Sequence, residues 1–414
     1  MRARRQRVWA LAVWLAVFGV YLACGASVPG ATAGEPANPY SAWSHGPARD
    51  PQFFPLAVWL QDPKNAPKYR DLGINTYVAL WRGPTEEQLN VLRQHGMKLI
   101  CSQNERALRL AADDLIIAWM HGDEPDNAQS LGEGKGYGPP VAPQRIVADY
   151  RAIRERDPQR PVLLNLGQGV AWDGWHGRGV RTNHPEDYVE YLAGCDIASF
   201  DIYPAVHDRP AVAGKLWYVP FGVTRLRRWG NNEKGVWNCI ECTRISNTAV
   251  KPTPDQVKAE VWMSIIHGSR GLIYFCHQFQ PEFIEAGLLA DADMSNAVRT
   301  LNRRILDLAP VIHGPPVESH VQLQCDPAEL TAECRQLLGG QPVAFTVRRW
   351  ERDWYLFAVG MDGQKIRATF SSPELRDALS VEVLDEQRTL ALTTGGFSDD
   401  FAPYAVHLYR IRGR

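Results

Sequence analysis

The sequence has no surplus of either charge. Forty-five Lys and Arg stand against 46 Asp and Glu, for a formal net charge of -1, and no block of like charge interrupts them. Nucleic acids and acidic polymers are gripped by clustered Lys and Arg, so those partners are excluded and a neutral substrate is implied. The chain also lacks a Gly-x-Ser-x-Gly turn, and with it the serine-hydrolase elbow. No phosphate-binding glycine turn follows the first apolar run. "GEGKGYG" at 132–138 has no Ser or Thr after its lysine, so it reads as a mobile loop over a cleft. His121, His267 and His277 form no pair at metal-ligand spacing on one helix. Neither a metal nor an organic cofactor is implied. A composition that is 45% hydrophobic and 22% charged over 414 residues argues against disorder and suffices for one large domain with a smaller one.

What is present begins with an export signature. "MRARRQR" is basic, the following "VWALAVWLAVFGVYLACGASV" is uncharged and apolar, and "ATA" at 31–33 offers a small-residue cleavage site. Residues 1–33 therefore read as a signal peptide, or as an uncleaved anchor that would tie the chain to a membrane. Either way the body is expected outside the cytoplasm, periplasmic or extracellular. Seven cysteines remain after Cys24. Cys325 and Cys334 could be bridged in an oxidising compartment, while the others lie in apolar runs where buried thiols are expected. In "CIEC", Cys239 and Cys242 would point to opposite faces of a strand, which suits neither redox nor zinc chemistry.

From residue 55 a short apolar run alternates with helical spacing. The runs are "PLAVWL" (55–60), "TYVALW" (76–81), "KLICS" (98–102), "IIAWMHGDEP" (116–125), "PVLLNLG" (161–167), "CDIASFDIYP" (195–204), "GVWNCIECT" (235–243) and "GLIYFCHQF" (271–279). Between them lie segments such as "TEEQLNVLRQHG", with Thr85 as N-cap and Gly96 as stop, and "PQRIVADYRAIRERDP". Eight such units predict an α/β fold, a (β/α)8 TIM barrel over about 50–315, with an open doubly wound sheet as the alternative. After Pro315 and Pro316 the period drops to two, in "VAFTVRRWERDWYLFAVG", "KIRATFSS", "LSVEVLD", "RTLALTT" and "YAVHLYRIRG". That predicts a small antiparallel, sandwich-like β domain over 317–414, packed against the barrel.

Barrel chemistry sits at the C-terminal ends of the strands. Those ends carry Trp81, Ser102, Gln103, Asn104, Asp123, Glu124, Asn165, Gln168, Asp201, Tyr203, Glu241, Thr243, His277 and Gln278. Glu124 closes the fourth run and Glu241 the seventh. Two carboxylates suit glycosidic cleavage, one protonated to release the leaving oxygen and one ionised to attack or to activate water. Each could also be a salt-bridge partner or, before Pro125, a helix cap.

This pattern resembles the large clan of retaining glycoside hydrolases built on (β/α)8 barrels, in which Asn-Glu ends strand four and Glu ends strand seven. The resemblance covers about 50–315. It implies Glu124 as acid/base, Glu241 as nucleophile and Tyr203 as the tyrosine that hydrogen-bonds the nucleophile, with a carbohydrate substrate. The chain departs from the pattern in two places: Asp123 replaces Asn, and the eighth run ends in "YFCHQF" without the tryptophan common as a sugar floor. Adjacent Asp123 and Glu124 also resemble the pair of β-N-acetylhexosaminidases, where Glu is the acid and Asp orients the substrate's acetamido group; Glu241 would then bind substrate. Trp81, Trp172, Trp175 and Phe279 offer ring faces for sugar C–H groups, and His277 a donor for a sugar hydroxyl. A sugar-binding protein on a catalytically silent barrel is the reading from another class.

Overall fold

The computed structural model describes residues 40–47, 50–109, 114–317, 320–393 and 395–413. The export segment, Cys24 included, lies outside them. The strands of the first sheet are β1 Leu56–Trp59, β2 Thr76–Val78, β3 Lys98–Cys101, β4 Ile116–Met120, β5 Val162–Leu166, β6 Ile197–Phe200, β7 Gly235–Val236, β8 Asn238–Glu241 and β9 Leu272–Phe275. All neighbours are parallel, in the order β7-β6-β5-β4-β3-β2-β1-β9-β8. Here β7 and β8 are halves of one run, separated by Trp237. The lower half pairs with β6 and the upper with β9, so the eight runs close into a barrel.

Alternation along each strand builds two layers. Ala57, Val78, Ile100, Leu163, Ile197, Cys239 and Ile273 share one cluster. Their neighbours Leu56, Val58, Leu99, Leu164, Ala198, Ile240 and Leu272 pack into the layer shared with the helices. Burying one such aliphatic side chain is worth about 1.5–3 kcal/mol, so a one-residue slip, which would exchange the layers, is strongly disfavoured. Thr85 caps Glu86–Gln94 through a capping box with Gln88, and Gly96 follows at φ +63°, a left-handed turn that favours glycine. Thr253 caps Pro254–Ile266 in the same way with Gln256. A segment that the sequence did not flag closes the opposite end: buried Tyr40 donates to Arg270 O (3.1 Å) and accepts from Trp237 Nε1 (2.6 Å).

The C-terminal part is two antiparallel sheets. One joins β10 Gln322–Asp326, β13 Ile366–Ser371 and β16 Gly396–Phe401; the other joins β11 Val343–Trp350, β12 Asp353–Gly360, β17 Val406–Arg412, β14 Ser380–Val383 and β15 Arg388–Leu390. Period-two reading missed β10 and β16. "GFSDDF" looks like a turn, yet Phe397 and Phe401 enter the core while Asp399 accepts from Arg388 and Tyr409. Phe357 of β12 packs on Trp262 of Pro254–Ile266 at 5.1 Å between rings, so the β layer is continuous with the barrel's outer core.

Cys325 and Cys334, which their spacing would have allowed to bridge, are not joined. All seven described cysteines are free and buried. Cys325 lies in the core between the C-terminal sheets and Cys334 in the barrel-facing layer, which puts the two thiols in separate cores. Cys239 and Cys242 fall in the inner and outer layers respectively, as a two-residue period requires.

Candidate active site

β4 ends at Met120, and the chain then turns through His121 and Gly122 to the carboxylates. Glu124 holds φ at +40°, a left-handed conformation that costs a non-glycine residue about 1–3 kcal/mol and is disfavoured before proline. Two backbone bonds retain it, Glu124 N–H to Asn165 O and Asn127 N–H to Glu124 O, both at 3.1 Å. The next carboxylate, Asp126, is fully buried and structural: it accepts from Gly167 N and Tyr188 Oη, each at 2.8 Å.

Asn165, buried at the end of β5, organises the mouth. Its Nδ2 donates to Asp123 Oδ1 at 2.9 Å and to Asp201 Oδ1 at 3.1 Å, while its Oδ1 accepts from Ser199 Oγ at 2.7 Å. One amide nitrogen, with its two hydrogens, thus holds Asp123 and Asp201 side by side. Asp201 accepts two further bonds, from Tyr203 Oη at 2.9 Å and from the Cys239 thiol. Glu124 receives Asn127 Nδ2 at 2.8 Å, and Asn127 in turn accepts from Trp175 Nε1 at 2.9 Å.

Three carboxyls this close do not all ionise at neutral pH. Glu124 is pushed well above the usual carboxylate range by desolvation, then by the charges of Asp201, Asp123 and Asp126. Asp123 is open to solvent at its tip, but the surrounding walls and Asp201 raise it to about 7. Asp201 is also raised by burial, against the pull of its three donors. Those donors make it the carboxyl best held in ionised form. Replacing Tyr203 by Phe removes one of them; a hydrogen bond to a charged group is worth about 1.5–3 kcal/mol, so the Asp201 midpoint should rise by about one to two pH units. Carboxyl carbon NMR of Tyr203→Phe checks this, and an unmoved midpoint would show that the hydroxyl does not hold the charge.

Two aromatic groups flank the cluster. Trp172 and Trp175 lie 6.0 Å apart in the loop after β5, with His207 edge-on to Trp172 at 5.7 Å. Around β9, Tyr203 touches Phe275 (5.2 Å), Phe275 touches His277 (5.2 Å) and Phe279 (6.1 Å), and exposed Phe283 stacks on His277 (5.9 Å) and meets Phe279 (5.6 Å). His277 also hydrogen-bonds Gln61. Gln278 pairs its backbone with Ile284 in the neighbouring wall. Trp81 is exposed beside Arg82, and among the described residues no contact joins it to the carboxylates. Asn127, Cys239 and Phe283 had escaped sequence reading. Asn127, four residues after Asp123, was the one with a usable signal, a polar residue in the same loop.

Glu241 sits apart. It is fully buried, and its two oxygens accept the N–H groups of Ala205 (2.6 Å) and Val206 (2.8 Å). The electrostatics of its carboxyl are linked to those of buried Glu260 on the helix Pro254–Ile266. Among the described residues no hydrogen bond or ion pair joins Glu241 to Asp123, Glu124 or Asp201. The remaining motifs are structural: His121 bonds Gly194 O, His267 bonds Met263 O, and the 132–138 segment is a turn closed by Leu131–Gly136 and Gly138–Gln129 backbone bonds. A groove between Pro254–Ile266, Ala292–Asp307 and the C-terminal sheets, lined by Lys258, Arg304, Asp385 and Arg388, gathers none of the strand-end groups.

No family model matches the chain, and no curated protein sequence matches it. Its fold is similar to that of α-galactosidase I from Mortierella vinacea, at 9% identity and a TM-score of 0.51 over 88% of this chain and 98% of that one. It is also similar to a Bacteroides fragilis protein named as a candidate α-galactosidase/melibiase, at 11% identity and 0.51 over 87% and 79%. At such identities the likeness establishes the fold: a TIM barrel with an appended β domain.

Proposed function

We propose that this protein is an exported glycoside hydrolase that cleaves the O-glycosidic bonds of a neutral oligo- or polysaccharide with retention of configuration. The observation that carries the reading is the meeting of three carboxyls from the ends of the fourth and sixth strands: Asn165 Nδ2 binds both Asp123 and Asp201, and the charges of both act on Glu124. Barrels of this fold host many reactions; the site, more than the fold, supports glycoside chemistry. That the two solved structures described above carry α-galactosidase names agrees with it.

In this mechanism Glu124, held protonated by burial and by its acidic neighbours, gives its proton to the leaving oxygen. Asp201, ionised under its three donors, attacks the anomeric carbon. Glu124, now a carboxylate, takes a proton from the water that releases the sugar. Because Asp201 receives Tyr203 and Asn165, it fits the attacking role better than Glu241, whose oxygens are occupied by backbone N–H groups. A second assignment, Asp123 as proton donor, is favoured by its value near 7 and its direct placement opposite Asp201.

The ring series from Tyr203 to Phe283 supports an extended carbohydrate, since pyranose C–H faces pack on aromatic rings. The exported fraction assayed against aryl glycosides and oligosaccharides should cleave at least one sugar class. Phe283→Ala should then raise KM for an oligosaccharide about tenfold, the scale of one lost aromatic contact, and leave an aryl monoglycoside unchanged. Binding of glycans without cleavage of any would overturn the enzyme reading in favour of a sugar-binding barrel.

A further inference from the structure

Glu241 and Glu260 are the buried titratable pair that this mechanism leaves unused. We propose that they share one proton and together hold the loop after β6, so that Glu241 is a positioning residue for Asp201 and Tyr203. The inference rests on the reading of Asp201 as the attacking group.

β6 pairs with the seventh run only through Ile197–Gly235 and Ala198–Val236, with Trp237 N–H on Ala198 O as the last backbone bond. Beyond it the chain from Asp201 to Val206 passes the upper half of that run with no ladder. Buried backbone N–H groups require acceptors, and Ala205 and Val206 are both buried. The Glu241 carboxylate supplies both acceptors, one oxygen to each N–H, in place of the missing ladder. Ala205 is four residues from Asp201 and two from Tyr203, so this clamp fixes the segment that aims the attacking carboxylate.

Glu260 explains how a carboxylate survives there. It is fully buried, and neither of its oxygens meets a donor. Two ionised carboxylates in contact would repel with no donor between them, so one must carry a proton. Burial and the Glu241 charge push Glu260 well above its ordinary range, and the Ala205 and Val206 donors pull Glu241 back to about 7 against its own burial. The proton therefore sits on Glu260, which donates to Glu241. The titratable group facing Glu241 is the Cys242 thiol, next in the chain, which donates to Phe275 O and has the free Cys276 thiol near it; the loop presents Ala205 and Val206, and β9 presents Phe275 opposite Glu241.

Substitution separates the roles. Glu260→Gln keeps a donor toward Glu241 and should leave kcat within about threefold. Glu241→Gln has a single acceptor oxygen for two N–H groups, so the loop shifts; a displacement of order 1 Å at a reacting group costs about 10²-fold. The loss should fall on kcat more than KM, and the acidic limb of the pH–rate profile should move upward as Asp201 loses its fixed donors. Azide added to Glu241→Ala should not restore turnover. Glycosyl azide formed by Glu241→Ala would make Glu241 the nucleophile and overturn the proposal. A Glu241→Gln protein with a lowered Tm but unchanged kcat and pH limbs would reduce the pair to stability alone and overturn it too. If instead Asp201→Ala keeps full activity, the underlying assignment of Asp201 fails, a result visible without any Glu241 variant.

Discussion

Glu124→Gln should lose about 10²–10⁴-fold in kcat/KM on glycosides with poor leaving groups, the usual contribution of a positioned proton donor. The loss should shrink toward unity with a dinitrophenyl leaving group, which departs without protonation. Glutamine preserves the size of the side chain but has no proton to give, so any deficit that survives an activated leaving group is not acid catalysis. The pH profile offers a second readout. Because burial and acidic neighbours raise Glu124, the wild-type rate should fall as pH rises through that elevated value, where the proton is lost. In Glu124→Gln with the activated substrate this alkaline limb should disappear. A full deficit with both leaving groups would remove Glu124 from the acid role; near-normal activity beside an inactive Asp123→Asn would move the proton to Asp123.

Asp201→Ala should be the most damaging single change, with kcat lowered by about 10⁴-fold or more, as for removal of other covalent nucleophiles. Azide occupies the space left by the carboxylate and should restore turnover, releasing a glycosyl azide inverted at the anomeric carbon. That stereochemistry distinguishes a missing nucleophile from a damaged fold. In wild type the same group sets the acidic limb: activity is lost as pH falls through the Asp201 value and its carboxylate is protonated. If azide has no effect and the product is inverted in wild type, Asp201 activates water and the retaining reading fails.

The barrel was legible in the sequence because strand and helix periods are local. Eight apolar runs, their spacing and caps such as Thr85 need no knowledge of distant residues. Placement of Asp123, Glu124, Asn165, Asp201 and Tyr203 at strand ends followed from the same periodicity, and the parallel closed sheet then brings strand ends to one mouth. What periodicity cannot express is the break at Trp237, which divides the seventh run and leaves the edge of β6 on that side without a ladder above Ala198. There a glutamate at the correct strand end, Glu241, meets two backbone N–H groups from the loop after β6 and a second glutamate from a helix. The meeting of Asp123 and Asp201 was likewise a tertiary decision. Asn165 lies 42 residues from Asp123 and 36 from Asp201, and one amide binding both carboxylates is a relation in space. A sequence determines which residues reach a barrel mouth, because side-chain period is fixed by the backbone. Which of them face each other, and which keep a proton, depends on long-range hydrogen bonds and burial that only the closed fold creates.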